Sequence, residues 1–403
     1  MAISTSRIRF SRVSRSRAPL FTEWITTEAD FHTLEPGWRA LCDRSAESSV
    51  FQSWEWISAW WRAFGASREL RVAIVRQGDR LLAAAPLTMR PLGGARLLEF
   101  LGAGRTDYLG FLLDPARPDL LKMLLSTLAE RSAEWDILWL RDMPLDAGGI
   151  AALRGALPAA GLRGIVRPWD VAPYLPTTGR WEDYLSQRSA NFRSDLKRKR
   201  RRLEAAGPVA IERHREPVDL RAALLEAIEI ERQSWKQKAG TARMSDPVGR
   251  TFFLDAAGAL AASGHAELWL LRVAAQAVAF YLNFLDRRRV RYYSGTYRSD
   301  FQAMSPGKVL MAEAIHAAFE EGREEFEERW VSPRRGDGLT IDFGLRVCSA
   351  CLFFLLRMVA TPDGTGSPPP PWRTQVPLGR ADSCDPRYPS IGRPPKHFPR
   401  LCV

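Results

Sequence analysis

Apolar and polar positions alternate between a helical and a strand-like period along most of the chain, and this alternation predicts its elements. In residues 54–64 large apolar side chains recur at i, i+4 and i+8, which indicates a helix with one broad buried face. Residues 70–90 form two strand-like runs around a QGD turn, which is typical of a hairpin. The alternation continues from about residue 20 to residue 176 and favours a layered α+β or α/β architecture.

A Pro-rich joint at 167–179 precedes a second unit with its own pattern. The pattern predicts a helix over 181–207, a strand over 209–214, helices over 221–237 and 250–264, three strands ending at Tyr297, and a helix over 309–322. A chain of 403 residues is long enough for about two domains. We therefore predict an N-terminal domain at 21–178 and a C-terminal domain at 179–345.

The two ends of the chain differ from this core. Residues 1–20 are rich in Arg and contain no acid or continuous apolar run, so we predict a basic disordered extension and no secretory signal. Residues 346–403 are rich in Pro and hold four of the five cysteines, and we predict a disordered or aberrant tail. The cysteine spacing does not fit a zinc site, so no metal is predicted. Only Cys42 lies in the first 340 residues, which favours a reducing compartment, the cytoplasm. No apolar run is long enough to span a membrane.

The net charge of +12 indicates an anionic partner, and much of the excess is local. The segment 188–202 carries eight Lys and Arg residues against the single acid Asp195. One interpretation is a solvated helix face, and the other is a polyanion site for the phosphates or carboxylates of an anionic partner. DNA is not predicted as a partner, because no groove-reading motif accompanies the run.

The turn FQAMSPGKVL, residues 301–310, lies between a strand-like run and a helix-like run. Ser305 can cap the helix, Pro306 suits its first position, and Gly307 lets a ligand approach the backbone. Unpaired N–H groups and the positive end of the helix dipole would attract phosphate or carboxylate there. A plain helix cap explains the same residues, so the turn alone leaves the alternatives open.

Several segments become informative when they are taken together: FQSWEWISAWWRAFG, TDYLGFLLD, RRLEAAG, SWKQKAGTA, and YYSGTY followed by SPGKVLMAEAI. In this order they resemble the CelD-like acetyltransferase family, a branch of the GNAT superfamily related to the Fem-type aminoacyl-transferases. The resemblance covers about Phe51 to Gly322. It implies two tandem GNAT-like domains, each a mixed, mostly antiparallel sheet flanked by helices, of which the second keeps the better acyltransferase signature.

The resemblance also implies an activity. It suggests an N-acyltransferase that moves an acyl group from acyl-CoA, such as acetyl-CoA, to an amine on a polysaccharide or cell-envelope precursor. Acyl-CoA would be a cosubstrate, no tightly bound cofactor or metal is expected, and aminoacyl-tRNA is the second choice of donor. Two alternatives stay open: a non-catalytic polyanion-binding protein, and an inactive remnant whose reading frame has shifted after about Phe326. The second arises because the Asp-Phe strand and aromatic-Lys pair of family members are not found in their usual places.

The implied site has three parts. For the CoA pyrophosphate the candidates are Gln302, Ser305, Gly307 and Lys308. For catalysis they are Glu229 or Glu231 as general base, which needs a pKa raised by burial, and Tyr297 as a proton donor to the leaving thiolate. For the substrate they are Asp107, Tyr108, Lys236 and Tyr293. Strand alternation predicts that Tyr293 and Tyr297 share one side with Arg291 and Gly295. Each candidate also has an ordinary structural interpretation, as a cap, a surface turn or a half-buried strand residue.

Overall fold

The computed structural model describes residues 18–45, 48–144, 149–166, 172–327, 344–346 and 355–356. The predicted extension at 1–20 and tail at 346–403 lie almost wholly outside these residues. The helices are α1 Glu28–Thr33, α2 Glu35–Arg44, α3 Trp54–Phe64, α4 Leu120–Glu130, α5 Gly149–Ala159, α6 Trp181–Ser186, α7 Ala190–Ala206, α8 Pro217–Arg232, α9 Trp235–Lys238, α10 Pro247–Ala262 and α11 Pro306–Glu320.

The strands follow the same order along the chain. They are β1 Leu20–Ile25, β2 Glu69–Leu70, β3 Val72–Gln77, β4 Arg80–Ala85, β5 Leu87–Leu92, β6 Ala95–Phe100, β7 Leu112–Leu113, β8 Ile137–Trp139, β9 Ala172–Pro176, β10 Val209–His214, β11 Ala266–Val273, β12 Gln276–Asp286, β13 Arg289–Tyr297, β14 Glu325–Glu327, β15 Gly344–Arg346 and β16 Leu355–Leu356. The mixed α and β architecture predicted from the sequence is confirmed.

Strand pairing divides the N-terminal half into two sheets, where one had been expected. One sheet has the order β1-β3-β4-β7 and is antiparallel, and the other has the order β16-β8-β6-β5-β2. Within the second sheet β6 and β8 run parallel, so α4 lies on the crossover between them. The C-terminal sheet has the order β10-β11-β12-β13-β14-β9-β15, and its one parallel pair within the described residues is β13 and β14, joined through α11.

The C-terminal sheet also takes in a strand from before the predicted domain boundary. β9 pairs antiparallel with β14 and with β15, although it precedes residue 179. Strand pairing therefore begins the C-terminal unit no later than Ala172. The domain boundary at residue 178 remains a prediction. The sheet shows that part of the Pro-rich joint, strand β9, belongs to the C-terminal sheet.

Helices cover the two faces of the C-terminal sheet. α8 and α10 lie on one face, where their apolar side chains form a common core with α3 of the N-terminal half. α7 and α11 lie on the other face with a separate core. The shared core contains the broad aromatic face predicted for α3. Trp56, fully buried, meets the rings of Phe252, Phe284 and Tyr293 edge to face at 4.9, 5.2 and 5.5 Å between centroids.

Two of the predicted helices are broken by serine. The expected helix over 181–207 is α6 followed by α7, because Ser189 leaves the helix and its side chain accepts from Phe192 N–H as an N-cap. The expected helix over 221–237 ends at Arg232, and a single turn, α9, restarts after Ser234, whose side chain accepts from Lys236 N–H. In both places the helix is interrupted at a capping serine, although the helical pattern of apolar residues continues through the break.

A bulge in β13 overturns the expected arrangement of its tyrosines. Asn283 of β12 pairs with Tyr292, but its neighbour Leu282 pairs with Ser294, so Tyr293 is an extra residue. Tyr293 packs in the core shared with the N-terminal half, whereas Tyr297 packs on the α7 and α11 face. The prediction that they share a side is wrong, because one inserted residue shifts the alternation.

Within the described residues no helix is long and apolar enough to cross a membrane. The same part of the chain holds no cluster of His, Cys, Asp and Glu side chains suited to a metal ion. Four of the cysteines considered in the sequence, and the Asp-Phe pair at 342–343, lie outside the described residues.

Candidate active site

The turn between β13 and α11 is a built helix N-terminus. The chain leaves β13, makes a 3-10 turn over Ser299–Met304, and reaches Ser305 in the left-handed region with φ 55° and ψ 51°. Ser305 occupies the N-cap position, but its side chain makes no capping hydrogen bond, in contrast to the capping expected from the sequence. Lys308 N–H donates to the Ser305 carbonyl at 3.1 Å. Pro306 has no N–H group, so Gly307 N–H is the first-turn donor that has no acceptor within the helix, and the dipole makes this end positive.

Two tyrosines fix this first turn of α11 against the sheet. The Tyr281 hydroxyl, from β12, donates to the Gly307 carbonyl at 2.7 Å. Gly307 is buried, and a Cβ placed on it would lie 3.4 Å from Cδ1 of Tyr297 and 3.5 Å from the Tyr281 hydroxyl. A methyl group would fit there, whereas a longer side chain would have to extend across the turn. Tyr297 therefore lies directly beside the turn, and its role as proton donor remains a prediction.

A pair of lysines lies beside the same turn. α7 packs against α11, and Lys199, which is buried on the inner side of α7, faces Lys308 at the start of α11. Burial and the charges of Lys308 and Arg202 together lower the pKa of Lys199 to about 8. Asp195, one turn earlier, contacts the Lys199 ammonium. Two ammonium groups are thus held together next to a positive helix end, which is an arrangement that favours a bound anion.

The outer side of α7 is a basic surface. A shallow depression there is lined by Ser194, Lys197, Arg198, Arg201, Arg202 and Ala205. Arg198 pairs with Asp195 at 2.5 Å, and Arg200 connects α7 to Glu313 of α11 at 2.6 Å. The described residues show no ion pair for Lys197, Arg201 or Arg202. The basic run seen in the sequence is therefore a continuous charged surface next to the α11 turn.

The two glutamates proposed as general base differ sharply. The Glu229 side chain is 48% exposed and pairs with Arg232 at 2.7 Å, and bonds from Arg232 and Gln233 lower its pKa to about 2. The structure thus lacks the burial that a base role for Glu229 requires. Glu231 is fully buried, on the α8 face of the sheet. Lys236 is close to it, 5% exposed, with its Nζ 3.5 Å from the hydroxyl of Ser294.

The other substrate candidates lie where the two halves meet. Asp107 is half-buried and Tyr108 is buried, and both belong to the loop after β6. The Arg291 guanidinium stacks 4.2 Å from the Tyr108 ring centroid. The Tyr293 hydroxyl donates to the Arg105 carbonyl at 2.6 Å. Tyr293 is engaged in joining the halves, so its geometry favours a structural role over the predicted contact with substrate.

Gln302 is exposed in the 3-10 turn, and its carbonyl accepts from Ser305 N–H at 3.1 Å. The structure brings Gln302, Ser305, Gly307, Lys308 and Tyr297 together at one end of α11. It places Lys236 and Glu231 on the opposite face of the sheet, and Asp107, Tyr108 and Tyr293 at the join between the halves. The predicted residues thus form three groups.

Some residues of the site were missed by the sequence analysis. Lys199 occupies a position on the apolar face of α7, seven residues after Phe192 and four before Leu203, both buried. A lysine on the apolar face of a helix can be recognised from the sequence, because its ammonium must point toward the interior or the rim of the core. Tyr281 and Ser294 gave no signal of that kind, because their positions depend on the register of β12 and β13.

Comparisons with known proteins agree with this geometry. Residues 190–327, from α7 to β14, match the family model of the acetyltransferase (GNAT) domain. The crystal structure of FemX is similar in fold, with a TM-score of 0.55 at 13% identity, covering 83% of this chain and 97% of FemX. The C-terminal domain of a putative lysylphosphatidylglycerol synthetase from Agrobacterium fabrum gives a TM-score of 0.44 at 12% identity, covering 72% of this chain and 77% of that one.

A tandem GNAT protein from the clavulanic acid biosynthesis pathway gives a TM-score of 0.39 at 12% identity, covering 77% of this chain and 91% of that one. Among curated proteins, none matches the chain significantly. Residues 190–327 therefore match the GNAT acetyltransferase domain, and the fold of the chain is similar to that of FemX over 83% of its length. The narrower CelD-like resemblance remains a prediction.

Proposed function

We propose that the protein is an N-acyltransferase that takes an acyl group from acyl-CoA and transfers it to an amine. The observation that carries this proposal is the α11 turn with Lys199 and Lys308 beside it, inside a domain that matches the GNAT acetyltransferases. A helix N-terminus flanked by two ammonium groups suits a pyrophosphate, which carries negative charge on several oxygens.

The mechanism is direct attack of the amine on the thioester. The pyrophosphate of acyl-CoA binds at the first turn of α11, and the thioester reaches toward β13, where backbone N–H groups at the bulge polarise its carbonyl. The amine nitrogen forms a C–N bond with the thioester carbon and loses a proton to a base or a bound water, and the C–S bond then breaks to release the CoA thiolate. Tyr297, beside Gly307, supplies a proton to the departing thiolate.

The test is calorimetry with acetyl-CoA. The wild-type protein should bind with micromolar affinity, and Gly307→Glu should weaken binding at least about 100-fold, because a carboxylate would stand where the pyrophosphate belongs. Gly307→Ala is the matched control and should bind nearly as well as wild type, since its methyl group meets only ordinary contacts. Absence of wild-type binding, or equal binding by Gly307→Glu, would rule out the proposed donor site.

We further propose that the acceptor is an amine on a polysaccharide or cell-envelope precursor, and that the enzyme acts in the cytoplasm, where acyl-CoA is available. The support for this acceptor is the resemblance of the sequence to the CelD-like family. Aminoacyl-tRNA remains the second choice of donor. The two donors can be distinguished by supplying aminoacyl-tRNA or acetyl-CoA with the same set of amines and measuring which donor is consumed.

The basic surface of α7 favours one alternative, a non-catalytic polyanion-binding protein. Such a protein would be retained on heparin in a salt-sensitive way and would show no heat of binding with acetyl-CoA. The combined variant Lys197→Ser, Arg201→Ser and Arg202→Ser should abolish that retention if the surface is responsible. Retention with acetyl-CoA binding supports the enzyme, whereas retention without it supports the binding protein.

A further inference from the structure

The segment after α8 is held by one buried carboxylate. Oε2 of Glu231 accepts from the N–H groups of Arg243, Met244 and Ser245 at 3.1, 2.7 and 3.0 Å. The other oxygen, Oε1, is shielded from solvent and finds no hydrogen-bond partner within the described residues. A buried carboxylate oxygen without a donor is costly, so this one is expected to serve a neighbouring charge or a ligand.

Lys236 lies inside the loop that Glu231 closes. Ser234 caps the turn that carries Lys236, and Lys236 O accepts from Thr241 N–H at 2.9 Å. The ammonium group lies 3.5 Å from the Ser294 hydroxyl, directly after the bulge in β13. The pKa of Lys236 is lowered to about 8. Burial is the main cause, the charge of Arg243 adds to the lowering, and the charge of Glu231 opposes it.

Polar atoms continue along the same face of β13. A Cβ on Gly295 would strike the Tyr281 ring on the α11 face, so its neighbours Ser294 and Thr296 point to the α8 face. Oγ1 of Thr296 and Oγ of Ser299 are both shielded from solvent and have no hydrogen-bond partner in the part of the chain that is described. Ser299 N–H donates to the Gln233 carbonyl at 3.2 Å, which ties this end of the strip to α8.

These observations define a polar strip between the end of α8 and the second half of β13. It contains one amine, Lys236, and three shielded oxygens that find no hydrogen-bond partner among the described residues: Glu231 Oε1, Thr296 Oγ1 and Ser299 Oγ. A polar ligand or water would satisfy such atoms. The strip lies on the face of β13 opposite to the α11 turn, so an acceptor could approach the acyl group from the side away from the CoA phosphates.

We propose that Lys236 is the proton acceptor of the transfer reaction and that Glu231 is the positioning residue that sets its charge. The inference rests on the proposed acyltransferase function. The acceptor amine attacks the thioester carbon, so a C–N bond forms and the C–S bond breaks with CoA leaving. The proton lost from the amine nitrogen moves to the neutral Lys236 amine. Glu231 is assigned the positioning role because its Oε2 is held by three backbone N–H groups.

The charges around Lys236 make the proposal testable by pH. Glu231 faces it from α8 and Arg243 from the following loop. Beyond them, Arg105 of the N-terminal half donates to the Arg243 carbonyl and contacts Asp246. β13 contributes the Ser294 hydroxyl and the phenol of Tyr293, which is bonded to the Arg105 carbonyl. Removing Glu231 should lower the pKa of Lys236, and removing Arg243 should raise it.

The experiment measures CoA release from saturating acetyl-CoA as a function of pH, with hydroxylamine as acceptor and the uncatalysed rate subtracted. Hydroxylamine stays uncharged over the pH range measured, so the pH dependence of kcat reports a titrating group of the enzyme. For wild type, kcat should rise with pH through about pH 8, where Lys236 is half neutral, and level off above about pH 9. Glu231→Gln should move the rise about one pH unit lower, and Arg243→Met should move it higher. Lys236→Arg should lose about 100-fold in kcat and lose the rise.

Each outcome decides the proposal. Opposite shifts in Glu231→Gln and Arg243→Met, with unchanged acetyl-CoA affinity in Lys236→Arg, support it and separate it from a merely structural role. An unshifted rise in folded variants, or a kcat that falls above pH 8, overturns the role of Lys236 while leaving the acyltransferase intact. If Glu231→Gln does not fold, Arg243→Met still decides, because its backbone bonds to Glu231 and Arg105 survive the substitution. A wild-type protein that neither binds nor cleaves acetyl-CoA overturns the function and this inference together.

Discussion

The two halves of the molecule contain the same supersecondary unit with different uses. In the N-terminal half β6 is followed by β7, α4 and then β8, which is parallel to β6, and in the C-terminal half β13 runs into α11 and then into the parallel β14. Each of the two helices carries the positive end of its dipole at its N-terminus. On helix geometry alone, either N-terminus would favour an anion.

The chemistry at the two helix starts is opposite. Asp119 stands at the N-cap position of α4 and pairs with Arg117 at 2.5 Å, which lowers the pKa of its carboxyl. The start of α11 instead has Gly307 and two lysines. In addition, the connection before α4 runs over residues 101–119 and docks on the other half through Arg105. The N-terminal unit places a carboxylate at its helix start and contributes Arg105 to the interface, whereas the C-terminal unit places two lysines at its helix start.

If the N-terminal half serves chiefly as an interface, the largest loss of stability should come from a substitution in the core that joins the halves. Trp56→Ala should lower the free energy of unfolding by about 3–5 kcal/mol, because a fully buried ring with four aromatic neighbours is lost. Thermal unfolding should remain a single transition that moves to lower temperature.

The matched control for Trp56→Ala is Thr106→Val, which removes only the acceptor of the Trp56 indole N–H at 2.8 Å. It should cost about 1–3 kcal/mol. Two separated unfolding transitions in Trp56→Ala, with the acetyl-CoA-binding transition unmoved, would show that the halves fold independently and would break the comparison.

The second-largest effect should be on the affinity of the protein for acetyl-CoA. Replacing both lysines at the α11 turn, Lys199→Met with Lys308→Met, should weaken acetyl-CoA binding by about 10- to 100-fold, since two charge-assisted contacts to phosphate disappear. Calorimetry measures the change. The control is Lys122→Met, because Lys122 is exposed and is the third residue of α4, as Lys308 is the third of α11. A similar loss in Lys122→Met would mean that general charge, and not the turn, attracts the ligand.

Sequence reasoning recovered the parts of this comparison that depend on local pattern. The order of elements, the amphipathic α3 and the turn at Pro306 follow from periodicity and from residue preferences at helix starts. The bulge at Tyr293 could not be read from the sequence, because it is created by the register between β12 and β13. The same holds for Glu231, whose three N–H donors come from a loop twelve to fourteen residues away.

The pH dependence of donor binding sharpens the role assigned to Lys199. With a pKa of about 8, Lys199 is charged at pH 7 and mostly neutral at pH 9, while the CoA phosphates stay ionised. Acetyl-CoA affinity should therefore fall by about three- to tenfold over that range. Lys199→Arg should flatten the dependence, because a guanidinium keeps its charge. Equal pH dependence in wild type and Lys199→Arg would assign the titration to another group.

The smallest effect is expected from the N-terminal helix start. Asp119→Asn removes the negative charge at the start of α4 and should change acetyl-CoA affinity less than about twofold, because the docking loop at 101–119 still covers that unit. The stoichiometry by calorimetry should stay at one ligand per chain. Binding of a second acetyl-CoA by Asp119→Asn would mean that the carboxylate alone closes the N-terminal unit, and that the two halves differ by one charge and not by the long connection that docks them together.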